Sequence, residues 1–435
     1  MNALEQLGRT ILLCRDYSSD TVSDAQICQR FQSVRVLCAA DKLNLSSRSG
    51  QTCLTTMVAL LSRMGMQVSL AIPETSMIQQ QLPFVGPLLR SSLLASSNRF
   101  IAGATVQQDD SRHKPDLIFV LGDSGIEDSS SPTWRLSGQE WCGRITQETT
   151  HAPSWASDWP IGAMVSAALA AGEAFKYVMR CLPLRNHEDH IFFEPSVASN
   201  WDFGSIGIRE GELDLGEVDI VSAGAITQAT LYALLRVPAL RMRGRVFDDD
   251  VTAATNLNRN MLSVVSDVGS KKALLVASRC SPNFKFTPMH QRFSIEESRV
   301  QELAPYVLVG VDDIPSRWQV QRCASGVLIV SGTSHFSISS SCHVPGAPCS
   351  GCQHPVDDLG GPTAIPTISF ISFWAGLAMA VRFIRHAVGA PYLVGRQHLW
   401  LTPLRMDQPH AALWSPVVPI PNCPVGCLSS RRIST

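Results

Sequence analysis

An excess of charge of either sign is what this sequence lacks first. Across 435 residues, 36 Lys and Arg stand against 37 Asp and Glu. A general nucleic-acid binder needs a basic surplus to neutralise phosphates, so that class is set aside. A local basic pocket for one phosphate ligand is still compatible with the balance. A leader is also missing. Met1–Leu13 carries Glu5 and has neither a basic flank nor a small-residue cleavage site, so no signal peptide is expected and the chain is placed in the cytoplasm. In that compartment its 13 cysteines, an odd number, do not suggest a disulfide framework; buried thiols and a metal site account for them better. No run suits a membrane span. The most apolar stretch, Ala364–Val381, contains Pro366 and ends before Arg382 and Arg385. It is short for a bilayer and reads as a buried loop entering a core helix.

What is present is a hydrophobic content of 45% and length for two or three ordinary domains. In the C-terminal half, Val218–Ala223 is a short apolar run leading to Gly224. A helical stretch, Gln228–Leu235, follows, and then a second apolar segment, Arg245–Phe247. Strand, tight turn, helix and strand make one βαβ unit of a doubly wound sheet. Further strands are expected at Lys285–Phe286, Val307–Val311 and Val327–Val330, and helices at Asp267–Arg279, Arg317–Cys323 and Phe370–His386. The N-terminal half repeats this order. It has strands at Val34–Ala39, Gln67–Ile72 and Asp116–Leu121, with helices at Gln51–Met64 and Ile161–Leu182. Gly122–Pro153 reads as a long surface loop and Leu184–Asp214 as a linker or edge. The expected fold class is α/β, with two Rossmann-like doubly wound halves, residues 1–205 and 206–435.

A dinucleotide fingerprint places three glycines between strand and helix, where backbone N–H groups and the helix terminus meet phosphate. Here the turn is Ser222-Ala223-Gly224-Ala225-Ile226-Thr227, and only the middle glycine survives. The residues that follow are more informative. Asp248-Asp249-Asp250 ends the second strand, where a carboxylate can accept from ribose hydroxyls. Asn256-Leu257-Asn258-Arg259 and Asp267-Val268-Gly269-Ser270-Lys271-Lys272 come next, and Arg259 and Lys272 can reach phosphate oxygens. Asp312-Asp313, at the end of a later strand, and then Arg317 complete the set. A carboxylate there suits magnesium beside a triphosphate. Singly, each also reads as a solvated turn, a surface charge or a helix cap. Jointly, their order points to one nucleotide site at the carboxyl ends of parallel strands.

This pattern resembles the ThiF/MoeB and ubiquitin-activating enzyme superfamily, most specifically over about residues 218–325. The resemblance implies ATP-dependent adenylation of the C-terminal carboxylate of a ubiquitin-like protein. It assigns Asp248 and Asp250 to ribose, Asn256, Arg259 and Lys272 to phosphates, Asp312 to magnesium, and Gly224 to the phosphate turn. It implies an inactive N-terminal half and an active C-terminal half forming a pseudo-dimer, with an Arg crossing between them; Arg9, Arg15, Arg30 and Arg35 are candidates. The implied partners are the ubiquitin-like substrate and a conjugating enzyme, with further self-association as a homo-oligomer also expected. Departures are Ser222 and Thr227 in place of glycines, Asn260 where Gln is usual, and Asp313 where Asn is usual. Other readings of the same residues are a sulfur-carrier adenylyltransferase, a nicotinamide-dependent oxidoreductase, and a catalytically dead scaffold.

Two cysteine pairs, Cys349-Ser350-Gly351-Cys352 and Cys423-Pro424-Val425-Gly426-Cys427, have spacings that suit tetrahedral zinc. His343 and His354 lie near them in sequence. A nucleophile for acyl transfer is harder to find. The expected crossover loop, Gln353–Ser369, has no cysteine but contains Thr363, Thr367 and Ser369. Cys342, in a Ser-rich stretch read as flexible, is the thiol nominated. Thioester, oxyester and free adenylate all remain open at this point.

Overall fold

In the computed structural model, residues 1–122, 130–148, 155–206, 213–280, 283–296, 302–356 and 365–427 are described. A short helix, α1 (Gly8–Arg15), precedes the first sheet. The first strand, β1 (Arg35–Ala40), leads to helix α2 (Arg48–Arg63) and then to β2 (Gln67–Ala71). Next come β3 (Val106–Gln108), β4 (Leu117–Leu121), β5 (Thr133–Gln139) and β6 (Cys142–Thr146). Helix α3 (Ile161–Arg180) follows, and β7 (Ala198–Asp202) closes this sheet in the order β3-β2-β1-β4-β5-β6-β7. The central strands are parallel, and the pairs β5/β6 and β6/β7 are antiparallel.

The second sheet starts at β8 (Leu213–Val221), followed by helix α4 (Ala225–Leu234) and β9 (Leu240–Phe247). Helix α5 (Lys272–Cys280), β10 (Phe284–Met289) and β11 (Tyr306–Val309) come next, then helix α6 (Ile314–Cys323). An antiparallel meander completes the sheet: β12 (Val327–Ser334), β13 (Ser337–His343), β14 (His398–Leu401) and β15 (Ala412–Ser415), with helix α7 (Ser369–Ala387) inserted after β13. The order β10-β9-β8-β11-β12-β13-β14-β15 repeats that of the first sheet with one strand added. The molecule is thus two mixed α/β sheets of like topology.

The repeated order has a packing cause. In each half a long apolar helix lies against the helix of the first βα unit: α3 against α2, and α7 against α4. Helices α3 and α7 also touch each other, which joins the halves through one continuous core. Phe370, Phe373 and Trp374 of α7 are fully buried, each worth roughly 1.5–3 kcal/mol of apolar burial. Gly376 permits the close approach of α7 to α4, since a Cβ there would lie 2.4 Å from the Ala229 Cβ. Thr230 Oγ1 donates to the Gly376 carbonyl across the same contact (3.0 Å). Helix α3 is long and apolar enough to cross a membrane by length and composition, but 94% of its most apolar window is buried inside this fold.

Several expectations change. Gly122–Pro153 contains the hairpin β5–β6, whose alternating burial was masked by its Ser and Gly content. The Leu184–Asp214 segment supplies edge strand β7. The helix expected at Asp267–Arg279 begins later, as α5 at Lys272; a single turn, Val265–Asp267, precedes it, and Gly269, in the left-handed region (φ +89°), separates the two. The Ser-rich stretch around Cys342 is strand β13, not a flexible segment.

Candidate functional site

The carboxyl ends of β8, β9 and β11 open into a cavity of about 390 Å³. Gly224, Asp248, Asp250, Asn256, Arg259, Lys272 and Asp312 all line it. Residues from β8 to the start of α6 are therefore gathered at one point by the parallel connections.

The turn after β8 is built without its first glycine. Ser222 adopts φ +86°, the left-handed region that favours glycine. Its hydroxyl accepts from the Gly224 N–H at 3.2 Å, which offsets part of the strain. Asp248 clamps the same turn. Its Oδ2 accepts from the Ala223 N–H (2.6 Å) and its Oδ1 from the Asp250 N–H (2.9 Å). Burial raises the Asp248 carboxyl above its ordinary range, while the Ala223 N–H and the Lys272 charge pull it back. The third glycine of the fingerprint normally lets helix and strand approach closely. Here Thr227 occupies that place, and the glycine lies on the opposing strand end instead. A Cβ on Gly310 would sit 2.9 Å from the Thr227 Oγ1.

The cationic side comes from the segment after β9. Lys272, at the first turn of α5, is buried and donates to Asp250 Oδ2 at 2.7 Å. Asn256 Oδ1 accepts from the Ala253 N–H (2.9 Å), fixing the short turn before Arg259. Arg259 donates to the Thr255 carbonyl and to Asn258 Oδ1. Burial first, and then the Arg9 charge, press the Arg259 guanidinium down to about 10, while Asp312 works the other way. Two cations held side by side around a cavity are arranged to meet an anion.

Arg9 comes from the other half. Helix α1 inserts it into the cavity lining, where its Nη1 donates to the Ile365 carbonyl (3.2 Å). Thr10 next to it accepts from Asn258 Nδ2 (3.0 Å), so helix and loop are tied together. Arg15 instead pairs with Asp24 at the surface. A second residue of the first half acts from below. Arg63, at the end of α2, is fully buried and donates to the carbonyls of Leu257 (2.6 Å), Met261 (3.0 Å) and Ser263 (2.8 Å). Arg236, at the same place beyond α4, donates to the Leu82 carbonyl of the first half (3.0 Å). Arg63 gave no sequence signal beyond a cation ending an apolar helix.

Asp312 and Asp313 divide two tasks. Asp313 caps α6 by accepting from the Ser316 N–H (3.1 Å) and pairs with Arg292 (3.4 Å). Asp312, whose charge acts on both Arg259 and Arg317, is left to the cavity. Arg317 is buried, and its Nε donates to the Val311 carbonyl (3.0 Å).

The first half is built differently at the matching turn. The turn after β1 spans residues 41–47, and its Asn44 is buried in the corresponding position. Asn44 Nδ2 donates to Asp41 (2.9 Å), and Asn44 Oδ1 accepts from the Trp155 N–H (3.0 Å). Asn44 also packs so closely on Gly122 that a Cβ there would lie 2.5 Å from its amide. Side chains pack into this turn.

Cys349, Cys352, Cys423 and Cys427 converge, with all four Sγ within 4.8 Å of one another. Separations of 3.3, 3.4 and 4.0 Å compare with a tetrahedral edge of about 3.8 Å for zinc thiolate bonds of about 2.3 Å. The donor set fits zinc, and four protein ligands would close the site. His343 is engaged elsewhere, with Ser341 (2.9 Å) and the Pro348 carbonyl (3.0 Å). The knuckle grips α6: Gln321 accepts from the Ser350 N–H (3.1 Å), Trp318 donates to the His354 carbonyl (3.0 Å), and Arg322 donates to the Pro424 carbonyl.

Cys342 requires correction as a nucleophile. It is 1% exposed in β13, burial pushes its thiol up to about 12, and it lines a different cavity. Among the described residues lining the strand-end cavity there is no cysteine; Thr333, Thr367 and Ser372 are among those that supply hydroxyls. Ser369, buried at the start of α7, donates to the Leu60 carbonyl (3.2 Å). Thr363 lies outside the described residues.

Fold and site together define an α/β protein with a polar cavity at its strand ends, lined by both cations and carboxylates, and a four-cysteine knuckle behind it. A family model described as the BilD N-terminal domain matches residues 34–186. The chain is 27% identical over 155 residues to the SAMP-activating enzyme E1 of Haloferax volcanii, covering 34% of this chain and 56% of that protein. It is 26% identical over 152 residues to the uncharacterized protein y4jF of Sinorhizobium fredii, covering 34% of this chain and 28% of that protein. The matches thus span well under two thirds of either relative. The likeness to the activating enzyme is weak and partial.

Proposed function

We propose that this protein uses ATP to adenylate the C-terminal carboxylate of a ubiquitin-like protein and passes the acyl group to a conjugating enzyme or other acceptor. One observation carries the reading: a single cavity gathers Gly224, Asp248, Asn256, Arg259, Lys272 and Asp312, with Arg9 reaching in from the other half. In the reaction a carboxylate oxygen attacks the α-phosphorus of ATP. An acyl–phosphate bond forms, the bond to the bridging oxygen breaks, and pyrophosphate leaves. Asp248 orients the ribose, and the turn ending at Gly224 presents N–H groups to phosphate. Arg259, Lys272 and Arg9 offset the charge that develops on the departing oxygens. Asp312 would hold magnesium, which supplies further neutralisation of the phosphates when bound. The two halves act as a pseudo-dimer in which the first half has no nucleotide site of its own.

The acceptor of the acyl group follows from the chemistry of the cavity. With Cys342 buried elsewhere, the adenylate itself is the product best supported. The exposed apolar side chains Trp400 and Leu413, neighbours across β14 and β15, offer a face for the body of the protein substrate.

The test is ATP–pyrophosphate exchange by the full chain with magnesium and a ubiquitin-like protein ending in a free glycine carboxylate. Exchange is expected in the wild type and is lost in Lys272→Met and Asp248→Ala. ATP binding that is absent from the wild type, or unchanged in Asp248→Ala, overturns the proposal.

A further inference from the structure

A second cavity, of about 70 Å³, lies where the end of α7 meets β13, β14 and β15, with Phe203 just beyond β7 at its edge. It shares no lining residue with the nucleotide cavity. Three guanidinium groups line it: Arg382, Arg385 and Arg396. No carboxylate stands among the described residues that line it.

Arg382 is 8% exposed. It donates to the carbonyls of Ser340 (3.0 Å) and Arg396 (3.3 Å), and its Nε has no hydrogen-bond partner. Arg385 donates to the Gly204 and Phe203 carbonyls (2.8 and 3.3 Å). The guanidiniums of Arg382 and Arg396 lie 5.0 and 5.7 Å from the same Trp414 ring. The titratable neighbours supply no negative charge at neutral pH. Burial pushes the Cys342 thiol and the Tyr392 hydroxyl each up to about 12, and burial lowers the His386 imidazole. Asp202 acts on Arg385 from outside the lining and is outnumbered. A buried guanidinium held by two carbonyls and an indole face, beside two more cations and with no carboxylate partner in the lining, is a costly arrangement. It becomes favourable when an anion enters, because charge-assisted bonds to a planar fork are strong.

We propose that this cavity binds a compact tetrahedral oxyanion of the phosphate class, held by Arg382, Arg385 and Arg396. The size agrees. One water takes roughly 30 Å³ in the liquid, so a space of about 70 Å³ suits an ion of a few heavy atoms and no larger ligand. The site ties α7 of the second half to the end of β7 in the first, so an anion there braces the contact between halves.

Two measurements decide it. Crystals of the full chain soaked in selenate are expected to show an anomalous selenium peak among the three guanidiniums. Its absence at saturating selenate overturns the proposal. Isothermal titration of inorganic phosphate into Lys272→Met protein, which weakens competing binding at the nucleotide cavity, is expected to give one site. Arg396→Gln, made in that background, should weaken it about tenfold, the loss of one charge-assisted bond. Arg396 is exposed, so this variant keeps the fold, and on its own it should leave ATP affinity unchanged. Phosphate affinity unaltered by Arg396→Gln refutes the assignment, whatever the outcome of the adenylation assay.

Discussion

Replacing Arg63 by Met removes three buried hydrogen bonds at once. The carbonyls of Leu257, Met261 and Ser263 lose their donor, and an unpaired buried carbonyl costs about 1–3 kcal/mol. Against this, the variant relieves a guanidinium that burial already presses down to about 9. It also forfeits the cation–π contact with Phe100 at 4.5 Å. Three such carbonyls, set against the relieved guanidinium, put the expected loss in equilibrium urea unfolding at about 3 kcal/mol or more. The functional consequence is more specific. The released segment carries Asn256 and Arg259, so ATP affinity by titration should fall at least tenfold under conditions where the variant is folded. Arg236→Met is the matched control. It removes the donor to Leu82 across the same interface, but no nucleotide ligand sits on that loop. It should lower stability and spare ATP affinity. A cost below about 1 kcal/mol for Arg63→Met, or equal loss of ATP affinity in both variants, refutes the reasoning.

Three further outcomes are expected. Gly310→Ala brings a Cβ to 2.9 Å from the Thr227 Oγ1 and should destabilise by about 1–3 kcal/mol. In a Thr227→Ala background the penalty should disappear, which a thermal double-mutant cycle measures. Metal analysis should find one zinc per chain, and Cys349→Ser or a strong chelator should lower both the zinc content and ATP affinity, because the knuckle grips α6 behind Asp312; ATP binding indifferent to zinc loss would disconnect the two. His343 is buried, and burial depresses its imidazole to about 4. As pH falls below about 6.5, the unfolded chain takes up a proton that the folded chain refuses until about 4. Stability should therefore drop across that window, and His343→Gln should flatten the slope in urea titrations at stepped pH.

The α/β halves were legible because parallel strands buried on both faces read as apolar runs. DLIFVL at 116–121 and VDIVSA at 218–223 needed no context. The antiparallel meander was less legible. β13 is Ser-rich and β14 and β15 are four residues each, so neither composition nor period marks them. Gly224, Asp248, Asp250, Asn256, Arg259, Lys272 and Asp312 were readable as an ordered series, and the fold brings them to one cavity. Arg9 was one of four candidates, because only the fold brings α1 over Asn258. Cys342 was misplaced for the same reason: its neighbours in sequence are serines, while its neighbours in space are α7 and Trp414.

The asymmetry between the halves gives a physical account of why the first is there. Its own turn is packed by Asn44, locked to Asp41 and Trp155. Yet it supplies two arginines to the second half, at different distances from the cavity. Arg9 lies in the lining, and Arg63 holds the floor beneath Asn256 and Arg259. A turn filled with side chains gains rigidity. That rigidity fixes the two cations the first half lends. Arg259 and Arg9 repel each other, and only a stiff frame keeps them facing one space before a triphosphate arrives to hold them together.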